Sequence, residues 1–301
     1  MKFRLKNWTC RCGLIALCLL AASVAQGECR RGYADSRFGQ VHYHICAPAV
    51  TTASPTPIVF FHQNPKSGDE YKFLLKEMGR DRTAIAFDTP GYGESDRPSG
   101  PPMMSDLAGA MADALVTLGY GEDQSGPVDV FGFHTGAFIA AELALSRPNL
   151  VRRVVLSGVA FRSEAERQAL LDALPRDYEL PEDGRRILDR WALIVVNRAE
   201  GVSFRRATKV FLEDIHSLDK WWYAYNAVWS YPVEKKLRKL THPVKIIQPH
   251  ELLLEETRKV HRELLPNAAY IEIPEVVDDV FDTGWRQYAL ELRNWLDNSV
   301  E

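Results

Sequence analysis

The stretch from Val128 to Ala137, VDVFGFHTGA, constrains this chain more than any other. An apolar run suited to a buried strand enters Gly132, and Gly136 opens a segment rich in small residues (Ala137, Ala140, Ala141) that suits a helix. In a Gly-X-Ser-X-Gly arrangement the two glycines permit a sharp strand-to-helix turn. That turn lifts the central side chain above the sheet edge and leaves the following N–H free for an anion. The lifted residue here is His134 rather than serine.

The start of the chain reads as an export leader. Residues 1–27 hold four basic residues (Lys2, Arg4, Lys6, Arg11), an apolar run from Gly13 to Ala25, and small residues suited to cleavage at Ala25 or Gly27. That run is shorter than the roughly 18–20 residues needed to span a bilayer, so a cleaved signal peptide is expected rather than an anchor, and with it a secreted or periplasmic location. Four of the 37 basic residues and none of the 40 acidic ones lie in the leader, so the mature chain would carry a formal charge of about −7. That charge invites no nucleic acid, and no later segment is apolar enough to call for a membrane.

Cys10, Cys12 and Cys18 lie in the leader, which leaves Cys29 and Cys46. Arg31 to Asp35 and Gln40 to Cys46 read as the two strands of a hairpin, whose open end would bring these two cysteines together. A disulfide between them is the expectation in an oxidising compartment.

Short apolar runs of the buried-strand kind recur at Pro57–His62, Thr83–Asp88, Val128–Phe133, Arg153–Ser157, Val244–Gln248 and Ala269–Ile273. Helical patterns fall between and after them, at Asp69–Met78, Ser105–Leu118, Thr135–Ser146, Glu251–Leu265 and Gly284–Trp295. The alternation predicts an α/β fold, a doubly wound and mostly parallel sheet with the hairpin antiparallel at one edge. From about Ala160 to His242 the pattern is helical with no strand signal, which divides the mature chain into core residues 28–160, a helical cap at 161–242 and core residues 243–301.

Motifs in series carry a resemblance over nearly all of the mature chain. Phe61-His62-Gln63-Asn64-Pro65 resembles the His-Gly-X-Pro oxyanion loop of the α/β-hydrolase superfamily, with Gln63 in place of glycine. Residues 88–96, DTPGYGESD, match that superfamily's Asp-X-Pro-Gly-X-Gly-X-Ser-Asp turn, and the elbow at His134 follows at the expected distance. The resemblance, closest to the capped epoxide hydrolase and haloalkane dehalogenase branch, implies a strand ending near a catalytic acid and a last strand followed by a catalytic histidine. Here EIPEVVDDVF at 272–281 stands where the family reads Ile-Pro-Gly-X-Gly-His-Phe, so Asp278 falls on the histidine position, with Asp279 one step away. Glu251, beside His250, falls at the acid site. No Ser-His-Asp triad can be written.

Three roles are open to His134. It can form a dyad with Asp278 and act as a general base, the longer imidazole replacing serine and the shorter carboxylate replacing histidine. It can itself attack a carbonyl. Or the site can be one that only binds a ligand. The resemblance places oxyanion donors at the backbone N–H groups of Asn64 and Thr135, each able to contribute about 3 kcal/mol to an anionic transition state. His62 and Gln63 adjoin that loop, and Trp222 would line a pocket under the cap. Arg205-Arg206 with Lys209, and Lys235-Lys236 with Arg238-Lys239, read as solvated helix faces.

No dinucleotide glycine loop appears, and His42, His44, His216, His242 and His261 lack metal-ligand spacing, so neither cofactor nor metal is expected. The expected activity is an exported enzyme on a small apolar ester, lactone or related carbonyl compound. The expected partner is thus a small-molecule substrate, or a ligand if the site only binds.

Overall fold

A computed structural model describes residues 28–49, 55–121, 123–176 and 181–298; the expected leader lies outside them. The chain opens with a hairpin of β1 (Glu28–Ser36) and β2 (Gly39–Ala47). There follow β3 (Ile58–Phe61), α1 (Lys72–Met78), β4 (Ala84–Phe87), α2 (Met104–Thr117), β5 (Val128–Phe133), α3 (Thr135–Ser146) and β6 (Val151–Ser157). Next come α4 (Glu164–Asp172), α5 (Arg185–Trp191), α6 (Phe204–His216), α7 (Trp221–Ser230) and α8 (Val233–Leu237), with no strand among the described residues between β6 and β7. The last elements are β7 (Val244–Pro249), α9 (Leu254–Glu263), β8 (Ala269–Ile273), α10 (Val280–Thr283) and α11 (Trp285–Leu296).

The eight strands form one sheet in the order β1-β2-β4-β3-β5-β6-β7-β8. β1 and β2 pair antiparallel, as do β2 and β4, and the remaining pairs are parallel. The expected doubly wound architecture is therefore present. Strand alternation explains why both faces are covered: in β3, Val59 and Phe61 enter the core beneath α2 and α3, while Ile58 and Phe60 enter the core beneath α1 and α11. Cys29 and Cys46 sit directly opposite in the hairpin register and are joined by a disulfide, Cα–Cα 4.1 Å. Closing a loop of this length contributes on the order of 3 kcal/mol in the chain-entropy model.

The helices from α4 to α8 reach back to the loops at the strand ends. Asn64 Nδ2 donates to the Trp221 carbonyl at 2.8 Å, and Ser67 Oγ donates to Glu213 at 3.0 Å. The Tyr92 hydroxyl lies 3.1 Å from the Trp221 carbonyl. A cavity of about 670 Å³ lies between these helices and the sheet.

Candidate active site

The elbow is built as its glycines require. Gly136 crosses β3 so closely that a Cβ there would lie 1.8 Å from the Phe61 carbonyl oxygen, which no side chain permits. This crossing forces the turn into β5–α3, and His134 takes φ 49° and ψ −114°, a left-handed conformation that costs a non-glycine residue about 1–3 kcal/mol. Its backbone N–H donates to the Ser157 carbonyl at 3.1 Å, which ties the strained residue to the neighbouring strand. The ring stacks on Phe133 with centroids 4.1 Å apart. It also lies against Gly158, whose missing Cβ would come 2.3 Å from the imidazole Cδ2.

His134 Nε2 lies 3.1 Å from Glu251 Oε2. The other Glu251 oxygen accepts from Gln248 Nε2 at 3.1 Å, and Gln248 Oε1 in turn accepts from the Gly158 N–H at 2.9 Å. Burial would raise the pKa of Glu251, but the His134 and Gln248 contacts outweigh it and hold the group below its ordinary value. The carboxylate is therefore ionised near neutrality and accepts from Nε2–H. In the neutral ring that contact places the proton on Nε2 and the lone pair on Nδ1, which is unengaged among the described residues.

The partner of His134 is thus Glu251 and not Asp278. The helix expected to begin at Glu251 begins at Leu254 instead, after a turn closed by the Leu254 N–H on the Glu251 carbonyl. Held in that turn, Glu251 projects to the elbow and meets His134. The loop after β8 is pinned elsewhere: His250 N–H donates to the Val276 carbonyl, and Asp279 adopts a left-handed φ of 45° while accepting from the Ala199 N–H at 2.8 Å. Asp278 is left exposed on the cavity wall, its side chain without a hydrogen bond among the described residues. His250 turns away to Glu272, 2.8 Å from it.

The oxyanion positions are partly retained. The backbone N–H groups of Asn64 and Thr135 have no acceptor among the described residues. Gln63, which replaces the family's glycine, gives both its side-chain amide and its backbone N–H to Glu70. His62 does not reach the cavity. Its Nε2 accepts from the Thr89 N–H at 2.9 Å, and its Nδ1–H donates to the Gln63 carbonyl at 2.7 Å, so it joins two loops as a buried neutral ring whose pKa burial lowers. Trp222 packs edge-on against Tyr223 and is absent from the cavity wall, where Tyr225 of the same helix appears instead.

The wall is not the apolar one expected. Leu193, Ile194, Val277 and Phe281 line one part, but Lys66, Glu70, Arg190, Arg206 and Glu213 line another. Burial raises the pKa of Glu70, opposed by its bonds to Gln63, and lowers that of Lys66, opposed by Glu70 and other acids. Arg206 is no solvated residue: its side chain is 9% exposed and meets both Asp69 and Asp282. Lys236 likewise meets buried Glu142, at 2.8 Å. The only local hint was that Arg206 shares a helix with the buried Ala207 and Val210.

The fold also gathers donor atoms of His42, His44 and Asp88 within 4.8 Å of one another. Asp88 is already filled by the Gly68 and Glu94 N–H groups and by His42. These contacts hold its pKa down against the burial that would raise it, and they serve to clamp the turn that follows β4.

Residues 56–237 match the family model described as alpha/beta hydrolase fold. Among curated proteins, the chain is similar to an (E)-2-((N-methylformamido)methylene)succinate hydrolase of Acinetobacter baylyi, 26% identical over 167 residues that make up 53% of this chain and 58% of that one. It is also similar to a proline iminopeptidase of Heyndrickxia coagulans, 27% identical over 129 residues, 41% of this chain and 43% of the other. The chain thus spans about half the length of the curated relatives it matches. A bromoperoxidase structure from Bacillus anthracis superposes with a TM-score of 0.70 at 15% identity, over 89% of this chain and all of that one, a likeness of fold.

Proposed function

This chain belongs to the α/β-hydrolase fold family, and from that premise we propose that it is an exported hydrolase acting on a small ester, lactone, amide or related carbonyl compound through a His134–Glu251 pair. The contact between imidazole and carboxylate at the strained elbow is the observation that carries this reading. Glu251 orients the ring and stabilises the imidazolium. Nδ1 removes a proton from water as its oxygen attacks the substrate carbonyl, and the N–H groups of Asn64 and Thr135 receive the developing oxyanion. Collapse of the tetrahedral adduct then breaks the bond to the leaving group, which takes the proton back from His134. The apolar body of the substrate lies against Leu193, Ile194 and Val277. The hydrolase relatives support the reaction class, and the Cys29–Cys46 disulfide supports export, since such bridges persist in oxidising compartments.

The test is a screen of esters, lactones, amides and β-diketones on the wild type and His134→Ala side by side. Turnover should fall about 10²–10⁴-fold in the variant with binding little changed, because a general base acts on the transition state. A fluorophosphonate probe should not label the protein rapidly. Equal turnover by both proteins, or rapid labelling of a serine, sinks the mechanism. Binding without turnover on every substrate would make the site a ligand pocket.

A further inference from the structure

Three cationic side chains line the cavity that holds His134, and two of them are neutralised by the protein itself. Arg190 donates to Asp214 through two nitrogens, and Arg206 is shared between Asp69 and Asp282. Lys66 is different. It is half-buried, and its ammonium makes no ion pair or hydrogen bond among the described residues. The acids that act on it most are engaged elsewhere, Glu70 by Gln63, Asp214 by Arg190 and Asp279 by the Ala199 N–H. The ammonium keeps contact with the open cavity, so its charge is left for a ligand there to meet.

Its place in the chain is equally specific. The Lys66 N–H donates to the Gln63 carbonyl at 3.0 Å, closing a tight turn that sets the side chain two residues beyond the Asn64 oxyanion donor. A substrate whose carbonyl oxygen meets the N–H groups of Asn64 and Thr135 would therefore bring its neighbouring atoms towards Lys66.

Resting on the hydrolase reading for the reacting centre, we propose that Lys66 anchors a carboxylate of the substrate, so that the natural substrates are carboxylated esters, lactones or amides with the acid group a few atoms from the scissile carbonyl. A single ammonium matches one monoanion. A dianionic phosphate in the same place would meet the negative charge of Asp214, Asp279 and Glu70, which already act on Lys66. Burial lowers the Lys66 pKa, and a bound carboxylate would restore it.

The test is equilibrium binding by calorimetry of methyl hydrogen glutarate, dimethyl glutarate and a phosphate monoester of similar length, to the wild type and to His134→Ala, which removes turnover from the measurement. The carboxylated ester should bind at least about tenfold more tightly than the diester, a difference of about 1.4 kcal/mol. Lys66→Gln should erase that preference while leaving the diester within about twofold, and Lys66→Arg should keep most of it. Thermal melting checks that each variant is folded. Equal affinity for the two esters, equal weakening of both in Lys66→Gln, preference for the phosphate, or no binding of either ester at millimolar concentration overturns the assignment. Undiminished turnover in His134→Ala with the Lys66-dependent preference intact would remove the base reading and leave the anchor standing.

Discussion

The turn from β5 into α3 and the loop from β8 into α10 are the two places where an α/β hydrolase would hold its nucleophile and its histidine, and both carry the wrong residue here. At the elbow the backbone keeps its shape, down to the left-handed φ of His134, because Gly136 packs against β3 and no other path is open to the chain. After β8 the backbone is set by local contacts of Val276 and Asp279, and Asp278 stays exposed on the cavity wall without a hydrogen bond among the described residues. Geometry enforced by a packed core does not depend on which side chain stands at the turn, whereas geometry held by a surface loop depends on its own sequence. The contact of His134 with a carboxylate then forms between the fixed elbow and the acid after β7, bypassing the loop.

The largest effect that would break this comparison is on stability. Gly136→Ala puts a Cβ into the Phe61 carbonyl and should cost more than about 3 kcal/mol in denaturant unfolding, beyond ordinary overpacking, or leave no folded protein. Asp278→Asn, on the exposed loop, should stay within about 0.5 kcal/mol of the wild type. Similar stabilities for the two variants would mean that the elbow is no more constrained than the loop.

Activity sharpens the same contrast. On any substrate the wild type turns over, Glu251→Gln should lower kcat about 10²-fold, because an amide neither secures the Nε2–H tautomer as firmly nor stabilises the imidazolium. Asp278→Asn should change kcat by less than about threefold, since its side chain is exposed and makes no hydrogen bond or ion pair with the ring among the described residues. If the order of the two losses is reversed, the ring turns to Asp278 during catalysis and the sequence-based dyad is restored.

Much of the scaffold was legible because its causes are local. Buried runs, the paired glycines around His134 and the cysteines across a hairpin each report their structure within a few residues. The charged wall of the cavity was not. Arg206 meets Asp69 across 137 positions, and Ser67 meets Glu213 across 146, so only the docking of the cap on the core makes partners of them. Glu251 was visible as an acid, but its pairing depended on a turn that ends three residues later than the helical periodicity implied. Trp222 and Tyr225 lie on one helical face by period alone, and the packing of Trp222 on Tyr223 decides that Tyr225 lines the cavity.

The smallest expected effect is a pH dependence that belongs to the elbow and not to the loop. Glu251 has its folded pKa held below 4.5, its ordinary value, through His134 and Gln248, in spite of burial. A carboxyl whose folded pKa is depressed contributes stability that is fully present above its unfolded pKa and is lost as pH falls through the folded one. Unfolding free energy should therefore decline below about pH 4.5 with a component due to this group, and Glu251→Gln should flatten that acid limb. The Asp278→Asn variant should leave the limb unchanged, as its carboxyl has no hydrogen bond or ion pair among the described residues. Chemical denaturation from pH 3 to pH 7 on the three proteins makes the comparison. Parallel curves for wild type and Glu251→Gln would show that the His134–Glu251 contact is too weak or too open to water to be felt by the folded state, and would remove the electrostatic basis for assigning the base.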